Sequence, residues 1–357
     1  MIPVTKSFIP PLDEYTFHVK RAFDNGWLTN RGPLVLELEE KLSSRLEVSQ
    51  LTLMTNGTIP LQIAVKLLGN GGEIITTPFS YVATTSSIVW EGCTPVFVDI
   101  HPEYLTIDET KIEAAITDRT TCILATHVFG NPCHVEEIER IARTHKLHVI
   151  YDGAHSFGVT YRGKSIFGYG TISTCSFHAT KLFHCGEGGA TFCNDEKLAH
   201  RVFYSHNFGH NGPEAFFDVG INGKMSEMQA AMGLSVLPYM DEILAARKQI
   251  VEFYEQNLDW SRLKTIRIRE NTDWNYSYFP VIFESEDVLL KVVKKLNEQA
   301  VFPRRYFYPS LNTLNYVNDG NVNHSENIAS RVLCLPLFHG LEDKVVLDIC
   351  KLINHTI

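Results

Sequence analysis

The sequence has no apolar run approaching the roughly 18 residues that a membrane span needs, and its 357 residues hold no internal repeat and no low-complexity tract. A spanning helix and a solenoid are therefore not expected. The first fifteen residues, MIPVTKSFIPPLDEY, lack the apolar core of a signal peptide. Basic charge is also short. Lys and Arg number 32 against 41 Asp and Glu, a net charge of -9, which argues against a nucleic-acid surface and its basic stripe. A small anionic ligand is still compatible with that charge, because local groups hold such ligands. No C-x-x-C pair occurs, and the 8 cysteines stand at irregular spacings, mostly within apolar runs such as TCIL and TFCN. They are expected to be reduced core residues of a cytoplasmic protein rather than a disulfide frame. His178, His184, His206 and His210 fit no standard ligand spacing, so no metal is expected. What is present is ordinary for a globular chain: 44% hydrophobic and 20% charged residues.

From about residue 51 the pattern alternates. SQLTLM, GGEIITT, TPVFVDI, TTCILATHVFG, LHVIYDGA, TISTCSFHAT and GGATFCN read as strands. Between them IPLQIAVKLLG, YVATTSSIVWEG, DETKIEAAI and VEEIERIARTHK read as helices. Continuous apolar strands alternating with amphipathic helices predict an α/β fold, a mostly parallel sheet covered on both faces. After about residue 225 the texture changes. A long helical stretch is broken at Pro238, and the remainder reads as a smaller α+β unit. The expected division is residues 1–240, a large ligand-binding domain, and 241–357, a small C-terminal domain.

Ligand groups in such sheets gather at the carboxyl ends of the strands, which selects Thr55–Thr58, Phe79–Tyr81, Asp152 and Ser176–Lys181. Singly, each has an ordinary explanation: a helix-cap aspartate, a surface lysine, a turn. Together they describe a pyridoxal phosphate site. The cofactor aldehyde needs a primary amine, which Lys181 supplies. The pyridine nitrogen must stay protonated to draw electrons, and Asp152 is the carboxylate for it. The phosphate needs N–H donors at a helix start, offered by Gly57 and Thr58. Tyr81 follows a strand where an aromatic can cover the ring. GEGG lets the backbone turn tightly beyond the lysine.

On these and further motifs the chain resembles the DegT/DnrJ/StrS-type sugar-nucleotide aminotransferases, pyridoxal phosphate enzymes of fold type I. GWLTNRGPLVLELEEKL, TPFSYVATTSSIVWEGCTPVFVDI, VIYDGAHSFGVTYRGKSIFGYG, SFHATKLFHCGEGGATFCND and INGKMSEMQAAMGL carry the resemblance, from about residue 20 to LCLPLFHGLEDKVV. It implies an aspartate-aminotransferase-like large domain and a small C-terminal one. It implies Lys181 as the cofactor-carrying lysine, Asp152 as the partner of the ring nitrogen, and Tyr81 as the stacking aromatic. Ser176, Gly57 and Thr58 match phosphate contacts, and His155 a residue near the cofactor's phenolic oxygen. Asn222 matches an asparagine that reaches the phosphate of the neighbouring subunit, which implies a homodimer with shared sites. The chain departs from the family at Asn56, Ala179 and Lys224, none of them a catalytic position.

The expected reaction moves an amino group from an amino acid, L-glutamate, to a nucleotide-linked keto sugar, a dTDP-4-keto-6-deoxyhexose destined for surface polysaccharide. A 3-keto isomer is the alternative within the class. A pyridoxal phosphate lyase or desulfurase is a rival on the same fold, though a desulfurase needs a reactive cysteine on a mobile loop. A non-catalytic regulator would have lost Lys181 or Asp152. Thr29 and His178 are candidate substrate contacts. So is one of Arg304 and Arg305 in PRRYFYPSL, because adjacent residues of an extended segment face opposite ways and a guanidinium suits an oxyanion.

Overall fold

The computed structural model describes residues 1–317, 320 and 322–357. Two helices, α1 (Leu12–Asn25) and α2 (Pro33–Leu46), precede the alternating region. It then runs β1 (Leu51–Met54), α3 (Thr58–Leu68), β2 (Glu73–Thr76), α4 (Val82–Trp90), β3 (Thr94–Phe97) and β4 (Thr120–Thr126). After these come α5 (Val135–His145), β5 (His148–Asp152), β6 (Ile172–Ser176), β7 (Gly189–Cys193) and α6 (Glu196–Ser205). The seven strands form one sheet in the order β1-β7-β6-β5-β4-β2-β3. Only β7 is antiparallel to its neighbours.

The apolar runs are continuous because both faces are covered. Neighbouring residues of one strand enter opposite layers. Ile75, Ile123 and Tyr151 pack with Leu38 and Leu42 of α2, Ile138 of α5 and Ala230 further on. Ile74, Leu124 and Ile150 pack with Leu61 and Val65 of α3 and Val202 of α6.

DETKIEAAI departs from its expected helix and forms two three-residue 3-10 turns, Glu109–Lys111 and Glu113–Ala115. Asp108 ties the first by accepting from Thr110 N. Ile116 is already extended, so the segment is too short to repay helix nucleation.

The long helical stretch is α7 (Glu227–Val236) and α8 (Met240–Asn257), separated at Pro238 by the 3-10 turn Leu237–Tyr239. Beyond it, β8 (Lys264–Thr265), β9 (Phe279–Ile282) and β10 (Val332–Leu335) make a small antiparallel sheet in that order. The helices α9 (Glu286–Glu298), α10 (Asn323–Arg331) and α11 (Asp343–Thr356) accompany it. A second core gathers Tyr254, Phe279, Val281, Val292, Leu333 and Val346. The division at residue 240 is proposed with two strands of traffic across it. Residues 2–3 pair with 301–302, and 272–273 pair with 160–161.

Arg247 of α8 is buried, and its guanidinium donates to three backbone carbonyls, those of Tyr276, Ser277 and Leu337. Burial pushes its pKa down to about 10. Arg247→Met leaves three buried acceptors without donors, each worth about 1–3 kcal/mol. We expect a loss of about 3 kcal/mol or more in the stability of the small unit. Urea unfolding followed by tryptophan fluorescence measures it, since Trp260 and Trp274 pack against that core.

Candidate active site

The carboxyl end of β5 delivers Asp152 into the interior, 4% exposed. Two donors hold its oxygens: the Thr84 hydroxyl at 2.7 Å on Oδ2 and the Ala154 amide at 3.0 Å on Oδ1. Burial pushes its carboxyl above the usual aspartate range, opposed by those two hydrogen bonds and by the charge of Lys181. A carboxylate in that setting is an expensive group unless something cationic is meant to meet it.

Lys181 lies in the turn between β6 and β7, where its amide donates to the His178 carbonyl at 2.8 Å. Burial pushes its amine below the usual lysine range, and the nearby Asp152 is the first of the groups that hold it up. Its Nζ sits 5.8 Å from the ring centroid of Tyr278. That ring is edge-on to His155 at 4.9 Å and to Tyr306 at 5.2 Å. A lysine in an aromatic, poorly hydrated pocket is neutral more of the time, which makes it a nucleophile and a base.

His155 is buried and stacks on Phe307 at 5.6 Å. Its Nδ1 accepts from the Phe129 amide at 3.2 Å. Burial, helped by the Lys181 charge, pushes its pKa well down. The ring is therefore neutral with its proton on Nε2, a fixed donor.

At the end of β1, Asn56 Oδ1 accepts from the Thr58 and Ile59 amides at 2.9 and 3.0 Å, capping α3. A Cβ on Gly57 would stand 2.5 Å from Ser176 Cβ and 2.6 Å from its hydroxyl. Only glycine lets the start of α3 come so close to Ser176. A Cβ on Gly189 would meet the Asn56 carbonyl at 2.3 Å, which is how β7 seats that turn beside the lysine loop. Tyr81 precedes α4 and is 56% exposed. A large aromatic left open, a glycine-only cradle beside a hydroxyl, a buried carboxylate and a low-pKa amine together fit pyridoxal phosphate.

The remaining candidates separate. PRRYFYPSL is not a strand beyond a single bridge of Arg304 with Cys334. Arg305 is occupied: its guanidinium donates to Glu286 at 2.5 Å and to the Ser330 carbonyl at 2.8 Å, and lies over Tyr308. Arg304 is exposed, with its guanidinium 5.5 Å from the Tyr306 ring, and its charge acts on Tyr278, the ring beside Lys181. The His178 ring bonds within its own turn, Nδ1 to the Thr180 hydroxyl at 2.9 Å, and faces Glu187 at 3.6 Å. Thr29 and Asn222 are exposed. Asn222 forms an isolated bridge with Asn207. All eight cysteines are buried, which leaves no thiol for a desulfurase loop.

Several groups here carry no sequence signal of their own. Tyr278 arrives from the residue just before β9, more than a hundred residues from Asp152. The N-terminal segment pins the lysine loop, with Ser7 donating to the Ala179 carbonyl at 2.6 Å and His184 Nε2 bonding the Phe8 carbonyl at 2.7 Å. Pairing between such distant segments is invisible to local periodicity.

Comparison with known proteins agrees with this geometry. A profile of the DegT/DnrJ/EryC1/StrS aminotransferase family matches residues 13–354. A dTDP-4-amino-4,6-dideoxy-D-glucose transaminase of Shigella dysenteriae is 41% identical over 96% of this chain and 95% of its own length. One of the same description from Escherichia coli is 39% identical over 99% and 98%. The crystal structure of DesI, determined in the presence of its TDP-sugar product, superposes with a TM-score of 0.94. It covers 99% of this chain and 92% of the DesI chain at 30% identity. A match over nearly the whole length, on a fold whose strand ends gather these groups, leaves one assignment: the chain belongs to the DegT/DnrJ/EryC1/StrS aminotransferase family.

Proposed function

We propose that this aminotransferase moves the amino group of L-glutamate to dTDP-4-keto-6-deoxy-D-glucose, giving dTDP-4-amino-4,6-dideoxy-D-glucose for surface polysaccharide such as O-antigen. The observation that carries the chemistry is the buried pair of Asp152 and Lys181, whose pKa values are moved by the same desolvation in opposite directions. The choice of sugar is supported by the near full-length similarity to two transaminases of that description. Pyridoxal phosphate, when bound, supplies the electron sink. Asp152 would hold the charge for its ring nitrogen, and Tyr81 would cover its ring. Gly57, Thr58 and Ser176 would receive its phosphate, and the His155 Nε2–H would donate to its phenolic oxygen. Lys181 takes the proton from the α-carbon of glutamate and later returns one at the sugar carbon.

The protein acts as a homodimer in the cytoplasm. Support comes from Phe216 and Val219, 66% and 75% exposed in the loop that ends at Asn222, because apolar surface of that kind calls for a cover. In the dimer Asn222 reaches the partner's phosphate site, and dimer and cofactor stabilise one another by linkage. An active monomer in light scattering at assay concentration overturns that assembly.

Mass spectrometry of products from a panel of dTDP- and UDP-linked 3-keto and 4-keto sugars, each with glutamate, tests the reaction. A mass gain for the amino product confined to the dTDP-4-keto sugar is the expected result. Conversion of only a 3-keto sugar, or release of sulfide or pyruvate, overturns it.

Arg304 is the arginine free to meet the nucleotide sugar. Arg304→Ala should raise the KM for the keto sugar about tenfold, the scale of one charge-assisted hydrogen bond. Single-turnover reaction with glutamate alone should be nearly unchanged. Arg305→Ala should leave both half-reactions near wild type and lower thermal stability, because its partners are Glu286 and the Ser330 carbonyl. Slowing of the glutamate half-reaction in Arg304→Ala would assign that arginine to the amino donor.

A further inference from the structure

Behind Asp152 lies a line of three hydroxyls. Thr84 Oγ1 lies 2.7 Å from Asp152 Oδ2. Ser80 Oγ lies 2.8 Å from Thr84 Oγ1 and 3.1 Å from Thr126 Oγ1. All four side chains are buried, none more than 4% exposed. The three hydroxyls come from three segments: Thr84 from the first turn of α4, Ser80 from the loop before it, and Thr126 from the end of β4, in register with Asp152 on β5.

A hydroxyl carries one proton, so the direction of the line can be derived. An ionised carboxylate only accepts. Thr84 must therefore spend its proton on Asp152 and accept from Ser80. Ser80, having spent its own, must accept from Thr126. All three O–H dipoles then point at the carboxylate, each polarising the next. A protonated Asp152 would donate to Thr84 and lose that alignment. The line is thus a device that favours charge on Asp152, set against the burial that disfavours it. Among the described residues, Lys181 is the only charged side chain acting on Asp152.

Given the reading of Asp152 as the ring-nitrogen partner, on which this rests, we propose that Thr84 is a positioning residue acting through Asp152. Its hydroxyl, aligned by Ser80 and Thr126, fixes one carboxylate oxygen and keeps the shared proton on the cofactor nitrogen rather than on Asp152. Because the Thr84 amide donates to the Tyr81 carbonyl at 3.1 Å, one turn of α4 sets both the aromatic cover and the anchor of the carboxylate.

The test uses holoenzyme loaded with cofactor labelled with 15N in the ring. In wild type the ring-nitrogen resonance should sit at the protonated position. In Thr84→Val, equal in shape but without the hydroxyl, the carboxylate becomes more basic and takes a larger share of the proton. The resonance should then move towards the unprotonated position at constant pH, and the glutamate half-reaction should slow about tenfold. Thr84→Ser should restore both, since it returns the hydroxyl and not the methyl. Ser80→Ala keeps the Thr84–Asp152 bond but removes the hydroxyl behind it. It should give the same displacement in smaller measure, and serves if Thr84→Val folds poorly. Asp152→Asn, measured alongside, separates two failures. If it displaces the resonance and neither Thr84→Val nor Ser80→Ala does, the role of Thr84 is overturned. If none of the three does, the reading of Asp152 falls and takes this role with it. A fall in thermal stability with the nitrogen signal unmoved marks a packing role alone and also overturns the proposal.

Discussion

Lys181→Ala should bind cofactor without fixing it. Borohydride treatment of the wild type should leave the cofactor mass on the peptide that carries Lys181, and the variant should show no such adduct. Transamination should fall by at least about a hundredfold, since a positioned base contributes some 10²–10⁴. Lys181→Arg sharpens the result. It keeps a positive charge beside Asp152, but a guanidinium cannot lose its proton, so it should be as inactive as the alanine variant. Activity in Lys181→Arg would show that charge, not basicity, is what the position supplies. Circular dichroism should be unchanged in both, because the amine is disfavoured by its surroundings rather than holding them together. A borohydride adduct on another lysine would sink the assignment outright.

The alternating region was legible because most strands of the large sheet carry apolar residues on both faces and covering helices such as α5 and α6 have a 3.6-residue stripe, so local periodicity reports the layers directly. The strand ends followed from that alone, and with them the position of Asp152, Lys181, Tyr81 and the Asn56–Thr58 turn. DETKIEAAI departs for a local reason: its charges and alanines favour helix, but it closes in two three-residue 3-10 turns and Ile116 is already extended. PRRYFYPSL reads from the sequence as an extended segment, in which neighbouring side chains alternate. It is committed instead to one bridge and to side-chain partners on α9 and the α10 region. The two adjacent arginines have different surroundings, Arg305 on Glu286 and the Ser330 carbonyl and Arg304 beside the Tyr306 ring. The hydroxyls behind Asp152 were hidden for another reason. Ser80, Thr84 and Thr126 are common strand-end and helix-start residues, and only the packing of α4 against β4 and β5 turns three of them into one line.

Asp152→Asn should bind the cofactor and slow the glutamate half-reaction at least about a hundredfold, some 2.7 kcal/mol in barrier. The substitution is nearly isosteric. Its amide oxygen can still accept from the Thr84 hydroxyl or the Ala154 amide, the donors that hold the carboxylate. What it removes is the charge that keeps the ring nitrogen protonated, and a neutral pyridine draws electrons weakly. The effect on Lys181 runs the other way. Asp152 raises the amine's pKa, against the burial that lowers it, so the asparagine variant leaves Lys181 neutral more of the time. The base becomes more available, and a lower rate in this variant cannot be traced to it. Single-turnover absorbance, followed with glutamate alone across pH, should therefore show a lower plateau. The limb that reports the lysine should move towards acid. A near-native plateau would show that the ring does not depend on Asp152. A limb displaced towards base would show that the carboxylate and the amine are not coupled as their burial and charges require.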